Sequence, residues 1–127
     1  MAVSEEALGH VLDLFRGLGP IRTGRMFSGV GLFVEDDVMF AMIAGSGTVF
    51  LKSDATTEDR LRDAGSEPFT YARKGGEQQI TSFMSLPDSA FDDPDEAMDW
   101  ARLSLEPARA AAERKRAEKA RKAARGR

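Results

Sequence analysis

Arg22 and Arg25 stand a few positions before Gly29 and Gly31. A guanidinium presents a fork of donors that grips a phosphate or a carboxylate at two points, and glycine lets the backbone approach such a group closely. That is the sharpest chemistry the sequence offers. A plainer reading competes with it: strand-edge arginines that pair with the chain's own carboxylates, beside glycines that serve a bulge or a tight strand bend. The glycines complete no dinucleotide fingerprint, because Val34 stands where a third glycine belongs, and no GxxxxGK[ST] loop occurs. The single histidine, His10, falls beside the apolar stripe of a helix and reads as a boundary residue rather than a base. Asp88, Asp92, Asp93, Asp95, Glu96 and Asp99 lack EF-hand spacing and its central glycine, so capping and a solvated face account for them. Asp36 and Asp37 read as turn residues. With no cysteine, thiolate chemistry, disulfides and Cys-based zinc sites are excluded. The expectation is a protein that is not an enzyme and takes no metal and no cofactor.

A second group of charges lies at the C-terminal end. From residue 107 to 127 there are nine basic and two acidic residues, a net of +7; residues 1–106 carry nine basic and nineteen acidic, a net of −10. The segment holds eight alanines and no Val, Ile, Leu, Met or aromatic residue. The reading is therefore a domain over 1–106 and a basic tail over 107–127, helical or solvated. Glu118 and Lys122 are an i, i+4 pair in the favourable orientation. Lacking an apolar stripe, the tail is not expected to dock by burial. Arg114, Lys115, Arg116, Lys119, Arg121 and Lys122 suit either nucleic-acid phosphates or an acidic protein surface, the chain's own included. No aromatics interleave for base stacking, so nucleic-acid contact would run through the tail alone and read sequence weakly.

The elements that position these groups follow from periodicity. Ser4 caps a helix with Glu5 and Glu6 in its first turn, and Leu8, Val11, Leu12 and Phe15 form its apolar stripe before Gly17, Gly19 and Pro20 stop it. Strands are expected over 31–35, 38–44 and 48–52, with turns at Asp36-Asp37 and Gly45-Ser46-Gly47. A short helix over 56–64 ends at Gly65. Strands over 69–73 and 78–84 flank Lys74-Gly75-Gly76-Glu77. Asp93-Pro94-Asp95-Glu96 starts the last helix, with Asp93 capping and Glu96 reaching back, and Ala97, Trp100, Ala101, Ser104 and Leu105 facing the sheet. The order α-β(3-4)-α-β(2)-α gives an α+β fold with an antiparallel sheet of about five to six strands. Met26, Met39, Met42, Met84 and Met98, with Phe27, Phe33, Phe40, Phe50, Phe69 and Phe83, read as core. Both faces of Val38-Met39-Phe40-Ala41-Met42-Ile43 are apolar: one must meet helices, and the other meets either more protein within the domain or a second copy, the favoured reading being a homodimer through this sheet or its edge. The N-terminus has no basic region followed by an apolar stretch and no apolar run approaches a membrane span, so a cytoplasmic protein is expected.

Leu18-Gly19-Pro20-Ile21-Arg22, Arg25-Met26-Phe27-Ser28-Gly29-Val30-Gly31, Met39-Phe40-Ala41, Gly65-Ser66-Glu67-Pro68-Phe69-Thr70-Tyr71 and the Trp100-Ala101-Arg102 helix resemble the N-terminal domain of the TfoX/Sxy family of bacterial competence regulators. The resemblance covers about residues 5 to 106. It implies an α+β domain like those of secretion chaperones, which commonly dimerise, and a role in transcriptional control beside other regulators or the transcription machinery. Ser28 departs from the glycine frequent there, and the basic tail stands where two-domain members carry a second helical domain. The expected function is a regulatory or interaction module in stand-alone form; the alternative is a domain that binds an anionic metabolite through Arg22, Arg25, Gly29 and Gly31.

Overall fold

The computed structural model describes residues 3–26 and 29–126, with the backbone alone at Arg73. Phe27 and Ser28, read above as part of the core and of the glycine motif, lie outside the described residues.

Ser4 caps α1 (Glu5–Leu14), its hydroxyl accepting from the Ala7 amide at 3.1 Å. The helix buries Val11 and Leu14, with Phe15 just beyond its end, while Leu8 and Leu12 pack at the margin of the core. A 3₁₀ turn and Gly19, at φ 101°, then redirect the chain.

Four strands follow: β1 (Arg22–Met26), β2 (Gly29–Val34), β3 (Val38–Ile43) and β4 (Val49–Lys52). After α2 (Ala55–Asp63) come β5 (Pro68–Arg73) and β6 (Gly76–Ser85), then α3 (Pro94–Arg125). All pairings are antiparallel, in the order β1-β2-β3-β4-β6-β5. The fold is α+β with a six-stranded sheet. Its first strand, β1, was not among the expected ones: Thr23 alone favours a strand, Gly24 and the flanking arginines do not, and pairing with β2 forms it nonetheless.

Caps follow side-chain chemistry. Asp54 accepts from the Thr56 amide at 2.9 Å and Thr57 Oγ1 accepts from the Asp54 amide at 3.1 Å, closing a capping box on α2. Asp93 caps α3 at the amides of Asp95 and Glu96. Glu96 does not reach back as expected. Its Oε2 instead accepts from Ser89 Oγ at 2.7 Å and from Trp100 Nε1 at 3.0 Å, and the Asp93 amide it was expected to reach donates to the Ala90 carbonyl at 3.1 Å.

A bulge in β3 resolves its broken alternation. Leu32 lies opposite Ala41 and Phe33 opposite Met39, so Phe40 is the extra residue. The added residue keeps Val38, Phe40, Ala41 and Ile43 all in the core, where Phe40 meets Phe15 edge to face at 5.3 Å. Met39 and Met42 are left to the opposite face, beside Gly31 and Phe33.

The compositional boundary at Glu106–Pro107 falls inside α3, which runs on without a break through the buried Pro107. Its inner side is built from small residues: Ala97, Ala101, Ser104, Ala108 and Ala112 are all buried. The expectation that the basic segment would not dock by burial is therefore corrected for its first turns. Alanine offers little area per residue, yet it lets a helix approach β3 closely enough to fill the core.

Candidate functional site

β1 is an edge strand, and side chains alternate along it. Arg22 and Arg25, three residues apart, therefore project to opposite faces and do not converge on one anion. The Arg22 guanidinium lies 4.3 Å from the Phe33 ring centroid. Its Nε and Nη2 donate to the Asp36 carbonyl at 3.2 and 2.9 Å. It fastens the edge strand to the β2–β3 turn, through a main-chain oxygen rather than the carboxylate partner considered above. Arg25 is exposed and has no partner among the described residues.

The glycines serve strand approach. A Cβ on Gly29 would lie 2.3 Å from the Ile43 carbonyl oxygen, so only glycine fits against β3 there. A Cβ on Gly31 would meet the sulfurs of Met26 and Met39 at 2.9 Å and the Phe33 ring at 3.0 Å. That ring spreads over both Gly24 and Gly31. The bulge itself lies on β3, at Phe40 opposite the step from Leu32 to Phe33.

His10 Nε2 donates to the Phe91 carbonyl at 2.8 Å, and its ring lies against the Phe91 ring at 4.7 Å. It ties α1 to the segment preceding α3. Of the acidic group, Asp93 caps, Glu96 accepts from Ser89 and Trp100, and Asp99 pairs with Arg102 at 3.2 Å.

On α3, Arg109 grips Glu35 with two donors, Nε lying 3.0 and 3.1 Å from the two carboxylate oxygens and Nη2 adding a third contact. Arg116 Nη1 lies 2.6 and 2.7 Å from the oxygens of Asp37. Both acids belong to the β2–β3 turn, where Glu35 and Asp36 take positive φ values of 49° and 77°. Hydrogen bonding from Arg109 holds the Glu35 carboxyl below its ordinary value, with slight burial opposing and the Arg109 charge assisting. Of the readings considered for the tail, docking on the chain's own acidic surface thus describes Arg109 and Arg116. Arg114, Lys115, Lys119, Arg121 and Lys122 are exposed, and of these Lys122 faces Glu118 at 3.6 Å.

One residue was missed in the sequence. Lys52 closes β4 after the buried Val49, Phe50 and Leu51, with its ammonium 4.5 Å from the Phe83 ring centroid. Burial pushes its pKa down, and the charges of Arg114 and Lys115 push it further. The signal was a lysine ending an otherwise apolar strand; its neighbours on α3 lie more than sixty positions away in sequence and could not be read from spacing.

No helix among the described residues is long and apolar enough to cross a membrane. Comparison with curated proteins finds no match. Residues 13–108 match the TfoX N-terminal domain, which takes in the sheet, α2 and α3 as far as Ala108. The chain belongs to the TfoX N-terminal domain family.

Proposed function

We propose that this protein is a competence-regulator-like interaction module that works in the cytoplasm as a homodimer and acts on the transcription machinery or one of its regulators, without catalysing a reaction. Family membership supports the regulatory reading. The observation that carries the dimer is the sheet face bearing Gly31. Met26, Phe33 and Met39 on its β1–β3 side are only half-buried, as are Phe69 and Phe83 toward β5 and β6. This face runs out to β1, an open edge whose backbone can pair with another strand. Sedimentation at micromolar concentration tests it: a species near twice 13.9 kDa is expected, and a single 13.9 kDa species overturns the dimer. Capture from a bacterial lysate with RNA polymerase or a transcription factor recovered tests the regulatory part; recovery of neither counts against it.

The exposed end of α3 favours a second reading, contact with nucleic-acid phosphates. If about five of its cations met a duplex, log K would fall with log salt at a slope near −4 to −5. Unchanged DNA retention after deletion of residues 113–127 would remove this reading.

A further inference from the structure

Where α3 passes the sheet, residues of both line a recess of about 200 Å³. Met26, Phe33 and Met39 form its apolar wall, alanines of α3 close one side, and Lys52 and Lys115 line it as well. The positive charge of Arg114 bears on Lys52 as well. Lys52, Arg114 and Lys115 have no carboxylate partner among the described residues. This contrasts with the two neighbouring arginines of α3. Arg109 and Arg116 each hold a carboxylate with two-point contacts, and the second of these, Asp37, is the one acid lining the recess. Glu35 and Asp37 are thus already engaged, while Lys52, Arg114 and Lys115 lie close enough to act on one another beside an apolar wall. Such a cluster is self-repelling, and a bound oxyanion relieves it.

The geometry points to an anion site in this recess, in which Lys52 of β4 and Lys115 of α3, with Arg114 beside them, hold the phosphate group of a small phosphorylated molecule. Lys52 is the anchor. Its stem is packed in the sheet and its ammonium is placed over Phe83, so little side-chain freedom remains to be lost on binding. The volume admits a phosphate and a few further atoms, which sets the class as small phosphomonoesters or pyrophosphate-like ions. A wider groove of about 710 Å³ beside β4 and β5 carries Glu67 and Asp88 as its charged groups and does not suit an anion. This site replaces the Arg22–Arg25 location, and it needs neither the dimer nor the regulatory role, although its wall of Met26, Phe33 and Met39 also belongs to the face proposed for the dimer.

Titration of the full chain with pyrophosphate and with inorganic phosphate, read by carbon-13-labelled methionine methyl groups, tests the proposal. Met26 and Met39 line the recess and should shift in a saturable way, whereas the core residues Met84 and Met98 should not. Lys52→Gln and Lys115→Gln should each weaken the affinity about tenfold or more, the loss typical of one charge-assisted contact. Lys119→Gln and Arg121→Gln should leave it within about twofold. The unshifted core methyls of each variant confirm that it is folded; should Lys52→Gln fail to fold, Lys115→Gln, at an exposed helix position, decides alone. The proposal is overturned if Met39 does not respond, if both glutamine variants bind as the parent does, or if only a DNA duplex moves these signals while pyrophosphate does not.

Discussion

The sheet has two apolar faces, and they are built from different residues. The face under α1 and α3 is lined by Leu32, Val34, Val38, Phe40, Ala41, Ile43, Leu51 and Met84, all buried and most of them fully so. The face around Gly31 carries Met26, Phe33, Met39, Met42, Phe50 and Phe83, and it also bears Arg22 and Lys52 over the rings of Phe33 and Phe83. Branched aliphatic residues with few rotamers specify one packing. Unbranched methionine and flat aromatic rings adapt to what meets them, and cations over rings keep the surface partly wet. The first face reads as a core made once during folding. The second has Met42 and Phe50 buried and Met26, Phe33, Met39 and Phe83 half-buried, with α3 reaching it at the recess; it reads as a face partly open to association, and it is where both the proposed dimer contact and the proposed anion site lie.

Two aromatic truncations break this contrast most sharply. Phe40→Ala should destabilise the fold by about 3–5 kcal/mol, because Phe40 is fully buried in the edge-to-face contact with Phe15. Phe33→Ala should cost roughly a third of that in the monomer, since the ring is only half-buried, and should instead weaken self-association. Urea unfolding at low protein concentration separates the two values. Comparable losses would mean that the second face is core as well.

The glycines sharpen the same comparison at smaller magnitude. Gly29→Ala sets a methyl group against the Ile43 carbonyl oxygen, which belongs to β3 and cannot move alone, so a loss of roughly 2 kcal/mol is expected. Gly31→Ala meets the ends of two methionine side chains and a ring edge, which can turn away. It should cost well under half as much, within about 1 kcal/mol. Thermal unfolding of the two variants side by side checks the order; equal losses would show that the methionine face is rigid.

Much of this fold is legible in local sequence. Ser4 and Asp93 mark helix starts by capping chemistry, and the glycine-containing turns mark hairpins. What local sequence hides is set by tertiary partners. β1 exists because β2 pairs with it, not because Arg22-Thr23-Gly24-Arg25 prefers to be extended. The bulge at Phe40 is invisible to a period-two reading, which shows only that the alternation fails. The docking of α3 rests on alanines at four-residue spacing, and a search for large apolar residues passes over them. The site was half legible. The basic segment stood out by composition, but its division into Arg109 and Arg116, paired, and Arg114 and Lys115, unpaired, depends on where the β2–β3 turn and the end of β4 meet the helix.

The smallest effects separate the paired from the unpaired cations by pH. Glu35 has its carboxyl held low by Arg109, so the folded state binds its proton less readily than the unfolded chain does. Its stabilising contribution is therefore complete above the ordinary carboxylate value of 4.5 and is lost as the pH falls through the lowered one. Exposure of the pair keeps this contribution small. Lys52 works in the opposite sense. Its lowered pKa, set by burial and then by Arg114 and Lys115, means that the folded state disfavours the ammonium form. The unfolded chain thus holds more protons over the alkaline interval between the lowered value and the ordinary one of 10.5, and stability rises with pH there. Lys52→Met should accordingly raise the urea midpoint at neutral pH and abolish the alkaline rise, while Glu35→Gln should flatten only the acid limb. Pyrophosphate should lift the neutral-pH midpoint of the parent and not that of Lys52→Met. If instead Lys52→Met lowers the midpoint at pH 7, the ammonium over Phe83 is a stabilising contact in its own right, and the crowding that motivates the anion site is already relieved within the chain.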